Sequence, residues 1–511
     1  MLARVLSSAV RGIEAFVLQV EVDVRPAGLP AFSIVGLPDA GVKESKDRVR
    51  AAIANSGFKN PSGKRVTVNL APADQRKEGA GYDLPIALGL LAALGQASGE
   101  RLGRCAVVGE LSLEGKVRCV RGALSMAMAC RDAGIESILV PVENVREAAV
   151  VEGVRVLPVA DLAAAVAWLD GRREIEPARA EAQAGAAEEA EVDFAEVHGQ
   201  EPAKRALMVA AAGGHNALMI GPPGSGKTML ARRLPTVLPE MTLAETLETT
   251  RIHSVAGSLP VGGTLLRARP FRAPHHTVSE MGLVGGGSHP RPGELSLAHH
   301  GVLFLDELPE FQRRTLEVLR QPIEDGEVHI GRAAQSVTFP TRVMLVAAMN
   351  PCPCGFHGDS RRRCHCSPQQ IRTYLSRISG PLLDRIDIHL EIPAVPFAQL
   401  SSRRGALGSE EMRRRVAGAR AIQAERFRRT RVGVNARMQS RHLKTFCTLD
   451  HEGEECLRQA VDGLGLSARA HSRILKVART IADLEGCERI APDHLSEAIQ
   501  YRTLDRDLVA A

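Results

Sequence analysis

The chain has 511 residues, length for about three domains at roughly 150 residues each, and 44% hydrophobic with 24% charged residues is an ordinary globular balance that excludes disorder as the main state. The net charge of +6 is too small to imply nucleic acid by itself. The most apolar stretch, Pro85 to Leu94, is about half what a membrane-spanning helix needs, and Arg4, Arg11 and Glu14 interrupt any apolar leader, so a cytoplasmic protein with no membrane partner is expected.

In chain order, Val17 to Val24 and Arg65 to Leu70 alternate β-branched and polar residues and are predicted strands. Asp83 to Leu94 and Ala123 to Ala133 are predicted helices, and Ser137 to Val140 a short buried strand. This predicts an α/β domain over residues 1–170. A linker follows over 171–192, where Glu176 to Glu191 is Ala- and Glu-rich without a large apolar residue. Residues 193–395 alternate again and predict a second α/β domain with a parallel sheet. Residues 396–511 read as mostly helical: Glu410 to Arg428, Glu452 to Val461, Ala468 to Leu484 and Pro492 to Gln500. The last carries Pro492 at its start, where a missing N–H costs nothing.

The strongest local signal is Gly221-Pro222-Pro223-Gly224-Ser225-Gly226-Lys227-Thr228, set between the apolar run Ala217 to Ile220 and a helical start. Strand, glycine-rich loop and helix make a P-loop, whose backbone N–H groups wrap phosphates. Lys227 brings positive charge to them, and the Thr228 hydroxyl suits magnesium. ATP and magnesium are the expected ligands. About 80 residues on, four apolar residues precede Asp306 and Glu307. Asp306 would hold magnesium through water, and Glu307 would polarise the attacking water. A third apolar strand, Val343 to Met349, ends at Asn350. Asn350 either orients that water or the γ-phosphate, or is a turn former before Pro351.

Cys352, Cys354, Cys364 and Cys366 form two C-x-C pairs with nine residues between them. Three readings stand: a structural zinc site, a reduced thiol cluster, or a redox sensor. The pairs His275-His276 and His299-His300 read as structural or loop residues. Glu327 to Phe339 is a predicted hairpin with Arg332 as the charge at its tip, a candidate phosphate contact. Twelve arginines against three acids between Arg403 and Arg441 are a second candidate phosphate-binding surface. With aromatics at 3%, backbone tracking is favoured over base stacking.

GPPGSGKT, LFLDE, AAMNPCPCG and LLDRIDIHLEIP together resemble AAA+ ATPases of the magnesium-chelatase-like branch. The motifs DFAEVHGQ, FRAPHHTVSEMGLVGGG and PGELSLAHHGVLFLDELPEF narrow this to a resemblance with the YifB/ComM family over nearly the whole chain. That resemblance implies a hexameric ring hydrolysing ATP and moving DNA, a helicase or branch-migration factor in natural transformation or recombination, with single-stranded or branched DNA and recombination proteins as partners. The alternative is a magnesium-chelatase-like motor subunit that remodels a protein. It further implies that Asn350 is the first sensor and Arg385 an arginine finger acting on a neighbouring subunit. Arg469 would be the second sensor, with Arg473 as the fallback, and Val197, His198 and Gly199 would begin the adenine pocket. RKEGAGYDLPIAL and the segment from Gly109 to Asn144 resemble the proteolytic domain of Lon. The places of its serine and lysine fall at Gly81 and about Leu124, so that resemblance implies the fold without the peptidase dyad. Partner or DNA contact and ring assembly are the roles left for this domain.

Overall fold

The computed structural model describes all residues except 28, 180–191, 261–262, 264, 288–289, 333–334, 360, 397–406, 431 and 505–511. Most of the Ala/Glu-rich linker therefore lies outside the described residues. The chain forms two compact units: Met1–Ala184 with Thr246–Leu266, and Gly185–Glu245 with Arg267–Ala511. Among the described residues no helix is long and apolar enough to cross a membrane.

The first unit is built on a seven-stranded mixed sheet. Its strand order is Ala31–Val35, Lys64–Ala71, Glu14–Pro26, Leu2–Arg11, Cys105–Val107, Ser137–Pro141, Arg155–Val159. The sequence reading names no element before Val17, yet Leu2–Arg11 is an inner strand, paired antiparallel with Glu14–Pro26 from Leu2↔Asp23 to Arg11↔Glu14. A two-residue turn, Gly12-Ile13, with Gly12 at φ +65°, allows that register. In Glu14–Pro26 the alternation works as expected, with Leu18, Val20, Val22 and Val24 buried and polar residues between them. The helix Asp83–Ala93 is apolar on every side because it is covered on every side: it lies on the first two strands and under the helices Ala40–Asn55 and Leu162–Leu169. A Cβ on Gly89 would come within 2.8 Å of a Val22 methyl, so the helix sits tight on the sheet.

The segment Thr246–Leu266 belongs to this unit although its sequence neighbours on both sides belong to the other. Thr249, Thr250 and Ile252 are fully buried. Arg251 donates to the Ile13 carbonyl at 3.0 Å, and the Ser254 hydroxyl donates to buried Glu147, which also accepts from Asn144 at 2.6 Å. Burial pushes the Glu147 carboxyl above the ordinary range, while these two hydrogen bonds oppose the shift.

The second unit is built on a five-stranded sheet, all parallel, in the order Phe271–Arg272, Val302–Leu305, Met344–Met349, Ala217–Ile220, Ile388–Glu391. The middle three strands are unbroken apolar runs, as a sheet with both faces covered requires. The C-terminal helices Ser409–Arg426, His451–Leu464, Ala468–Leu484 and Pro492–Gln500 follow the predicted spans closely, and a further short helix, Ser440–Phe446, lies between the first two. Among the described residues they share one core with the sheet: Met412, Val416, Ile474, Ile481 and Leu495 join the same apolar cluster as Val346 and Leu230. The fold is thus α/β in both units with a helical C-terminus. The predicted hairpin forms from Glu327–Arg332 and Gln335–Pro340, with Val328, Ile330, Val337 and Phe339 buried on one face. Its tip and the Arg332 side chain lie outside the described part.

Candidate functional site

Three parallel strands end side by side, and each delivers a polar residue at its C-terminal edge, where ligands bind in open α/β sheets. From Ala217–Ile220 comes the loop Gly221 to Thr228. Gly224 and Gly226 hold φ +77° and +91°, conformations that favour glycine. Gly221 is needed for another reason: a Cβ there would lie 2.2 Å from the Ile392 carbonyl oxygen. The helix Lys227–Arg233 follows at once, so the loop's N–H groups and the helix N-terminus face the same space.

Lys227 is almost wholly buried, and its ammonium donates to the Gly221 carbonyl at 2.7 Å, the Pro222 carbonyl at 3.0 Å and Asn350 Oδ1 at 3.3 Å. Burial lowers its pKa, and the nearby Asp306 charge acts against that. The Thr228 hydroxyl donates to Asp306 Oδ2 at 2.6 Å. Asp306 Oδ1 accepts the Glu307 backbone N–H at 2.9 Å. Glu307 itself sits at φ +51°. For a non-glycine residue this left-handed conformation costs about 1 kcal/mol or more, and such strain gathers at functional sites. Glu307 is exposed, with one carboxylate oxygen 3.4 Å from His276 Nδ1. His276 in turn packs beside His275, ring centroids 4.0 Å apart, and edge-on to Phe311.

Lys227, Thr228, Asp306 and Asn350 are therefore brought together, with Glu307 adjacent. Sequence reasoning set the His275-His276 pair aside. The signal available was its place a few residues after a strand of the same sheet, but spacing alone did not say which carboxylate it would meet. Gln200, also unremarked, donates to the Pro393 carbonyl at 2.9 Å and ties the segment before the first helix to the end of the last strand. Val197 is fully buried in the apolar core and His198 is half-buried beside it.

The arginines divide. Arg385 is 8% exposed, and its guanidinium donates to the Arg320 carbonyl at 2.9 Å, the Pro381 carbonyl at 2.6 Å and Glu324 at 2.8 Å, all within this chain. Arg473 is closed into an ion pair with buried Asp387, which also accepts from His215 at 3.1 Å. Arg469 keeps 62% of its side chain exposed, 3.9 Å from Asp384. Of the Arg403–Arg441 set, Arg403, Arg404 and Arg431 lie outside the described residues. Arg420 donates to the Ala211 carbonyl and Arg426 pairs with Asp483, so these two are spent inside the fold. Arg413, Arg428, Arg429 and Arg441 are exposed.

The four cysteines meet. The sulfur atoms of Cys352 and Cys354 are 3.3 Å apart, Cys352 and Cys364 3.7 Å, and Cys354 and Cys364 3.6 Å; all four lie within 4.8 Å of one another.

In the first unit, the places the Lon resemblance marks hold no nucleophile or base. A Cβ on Gly81 would meet only a Val120 methyl, at 3.5 Å, and Leu124 is fully buried. The charged groups nearby are turned inward: Arg48 donates to Asp83, wholly buried, at 2.7 Å.

Residues 193–400 match the family described as magnesium chelatase, subunit ChlI, residues 20–144 match subunit ChlI of Mg-chelatase, and residues 406–502 match the ChlI C-terminal family. The chain is 46% identical over 509 residues to the YifB protein of Salmonella typhimurium, covering 99% of this chain and 98% of that one. It is 45% identical over 510 residues to the competence protein ComM of Haemophilus influenzae, with the same coverage. The magnesium-chelatase 38 kDa subunit of Cereibacter sphaeroides is 26% identical over 336 residues, 59% of this chain and 88% of that one.

Proposed function

The chain belongs to the YifB/ComM family of magnesium-chelatase-like AAA+ ATPases, and on that premise we propose that it is a ring-forming, ATP-hydrolysing motor that moves DNA strands in the cytoplasm. The observation that carries the DNA half of this reading is the 45% identity, over 99% of this chain, with a protein named as a competence protein. The ATP half is supported by the site itself. Gly221 to Thr228 would wrap the phosphates, with Lys227 exchanging its carbonyl partners for phosphate oxygen. Thr228 and Asp306, already 2.6 Å apart, offer the hydroxyl-and-carboxylate donor set that suits magnesium. Bound magnesium supplies charge neutralisation at the phosphates. Glu307 takes the proton of the attacking water, and its strained backbone together with His276 holds the carboxylate at the strand end. Asn350, bonded to Lys227, senses whether a γ-phosphate has displaced it.

In a ring, six-membered as the family resemblance implies, Arg385 would act on the neighbour's γ-phosphate. To do so it must leave Glu324 and two carbonyls, which makes subunit contact a switch for that arginine. Arg469, exposed on the helical region, is the second sensor, since Arg473 is committed to Asp387. Val197 and His198 back the adenine. Arg332 at the hairpin tip contacts DNA phosphate, recombination proteins are the partner class, and the first unit serves as a Lon-like platform without peptidase chemistry.

ATP turnover measured with and without single-stranded and forked DNA tests this. Stimulation by DNA, with strand displacement or branch migration, is the expected result. ATP turnover with no DNA binding would transfer the reading to a motor that remodels a protein, in line with the chelatase subunits among the relatives. A mixture of Arg385→Ala and Lys227→Ala chains should recover turnover that each lacks alone, and no recovery in mixed rings would remove Arg385 from action in trans.

A further inference from the structure

The loop that follows Asn350 carries a site that ATP chemistry does not use. We propose that Cys352, Cys354, Cys364 and Cys366 hold one structural zinc ion, and that this closed site braces the loop against the P-loop. The geometry shows the cysteines unpaired and gathered as a zinc site requires. A disulfide needs sulfurs about 2.0 Å apart, and none approaches that. Zinc with four thiolates at about 2.3 Å each sets the edges of its sulfur tetrahedron at about 3.8 Å. The three pair distances of 3.3, 3.6 and 3.7 Å are close to such edges, and the fourth sulfur lies within the same small sphere.

The surroundings suit charged sulfur. The Cys354 backbone N–H points at Cys366 Sγ and the Cys366 N–H at Cys364 Sγ, both at 3.4 Å. N–H groups aimed at thiolates are the kind of outer contact that orients metal ligands. Four thiolates around a divalent ion leave a charge of −2. The stretch between the two pairs supplies Arg361, Arg362 and Arg363, with Arg362 anchored over the Phe356 ring at 5.1 Å. Cys352 is fully buried and the other three are half-covered. With four sulfurs and no open position the ion would be structural rather than catalytic.

The link to the nucleotide site is steric. Gly355 stands at φ +85°, one residue past Cys354, and a Cβ there would lie 2.5 Å from Pro223 Cδ. The loop therefore presses its glycine onto the phosphate-binding turn. On its far side Ser367 caps the helix Pro368–Leu375, whose Tyr374 hydroxyl meets the Asn350 backbone. The loop between Asn350 and Tyr374 is thus closed on itself at Asn350. Before that helix begins, the backbone hydrogen bonds among the described residues of the loop are short turns at Cys352–Gly355 and Phe356–Asp359, so a metal is a fitting internal staple. This bracing half rests on the ATP reading above; the metal itself does not.

Elemental analysis of reduced full-length protein, grown with zinc and purified without chelator, should give one zinc per chain. Cys364→Ser with Cys366→Ser should abolish it, while Cys119→Ser, at an exposed cysteine elsewhere, should keep it. If the double variant does not fold, the wild-type protein stripped of metal and given cobalt(II) alone should develop thiolate-to-cobalt charge-transfer and tetrahedral d–d bands. No metal, iron in place of zinc, or no such bands would overturn the site. Gly355→Ala should keep its zinc yet bind a fluorescent ATP analogue roughly tenfold more weakly, the scale of one lost positioning contact. Unchanged affinity in that variant would overturn the bracing while leaving the metal count standing. Zinc present in a protein that binds no ATP at all would instead refute the nucleotide reading.

Discussion

The two units are both α/β, yet they treat their charged residues in opposite ways. In the first, Asp83 is wholly buried and closed onto Arg48, Lys77 is turned onto the carbonyls of Pro72 and Gln75, and Glu147 is buried against Ser254 and Asn144. Each of these three charged groups has its partner inside the unit. In the second, Lys227, Thr228, Asp306 and Glu307 gather at strand ends, with Thr228 and Glu307 exposed and Glu307 in a strained conformation. The second unit also has a closed pair, Arg473 with Asp387. Burial and local pairing thus mark stability, whereas convergence at an open strand edge marks chemistry. A perturbed or charged residue is informative only once its partners are counted.

That contrast can be broken most sharply at Glu307. Glu307→Gln should leave ATP binding intact and lower turnover by roughly 10²–10⁴-fold, the usual worth of a general base. Single-turnover hydrolysis beside nucleotide affinity would show it; full turnover in the variant would mean the open carboxylate is not the chemical one.

The closed pair in the same unit should behave differently. Asp387→Asn leaves Arg473 without its partner and should destabilise the unit by about 3 kcal/mol or more, measured by denaturant unfolding. Burial pushes the Asp387 carboxyl up, but Arg473 and His215 more than offset this and hold its pKa below the ordinary carboxylate value. Its folded pKa is therefore lower than its unfolded one. The stabilisation is present above the unfolded carboxylate value of about 4 and is lost as pH falls below it towards the folded pKa. Wild type should lose stability over that acid range and Asp387→Asn should lose less. Equal acid profiles would remove Asp387 from the account.

The smallest effect belongs to the first unit. Ser254→Ala takes one hydrogen bond from Glu147 and should cost about 1 kcal/mol. It should appear as faster amide exchange across Thr246–Leu266, with ATP affinity unchanged. No change in exchange would mean that apolar burial alone, through residues such as Ile252, holds the segment in place.

Much of the fold and the centre of the site were legible in the residue order. The runs Ala217–Ile220 and Val302–Leu305 are too apolar for anything but buried strands, and Asp83–Ala93 too apolar for a surface helix. The glycines of the P-loop, its Lys227 and Thr228, and the Asp306-Glu307 pair carry their chemistry within a few bonds of one another, so local spacing exposes them. Periodicity and turn chemistry act over one or two turns of chain, and they reach no further. Tertiary structure alone decided that Thr246–Leu266 leaves its sequence neighbours for the first unit, and that His276 meets Glu307. It also decided that Arg473 is closed onto Asp387 while Arg469 stays open, and that four cysteines spread over fifteen positions meet within 4.8 Å. Each of these depends on which distant surfaces come together when apolar faces are buried, a long-range packing choice that no window of sequence contains.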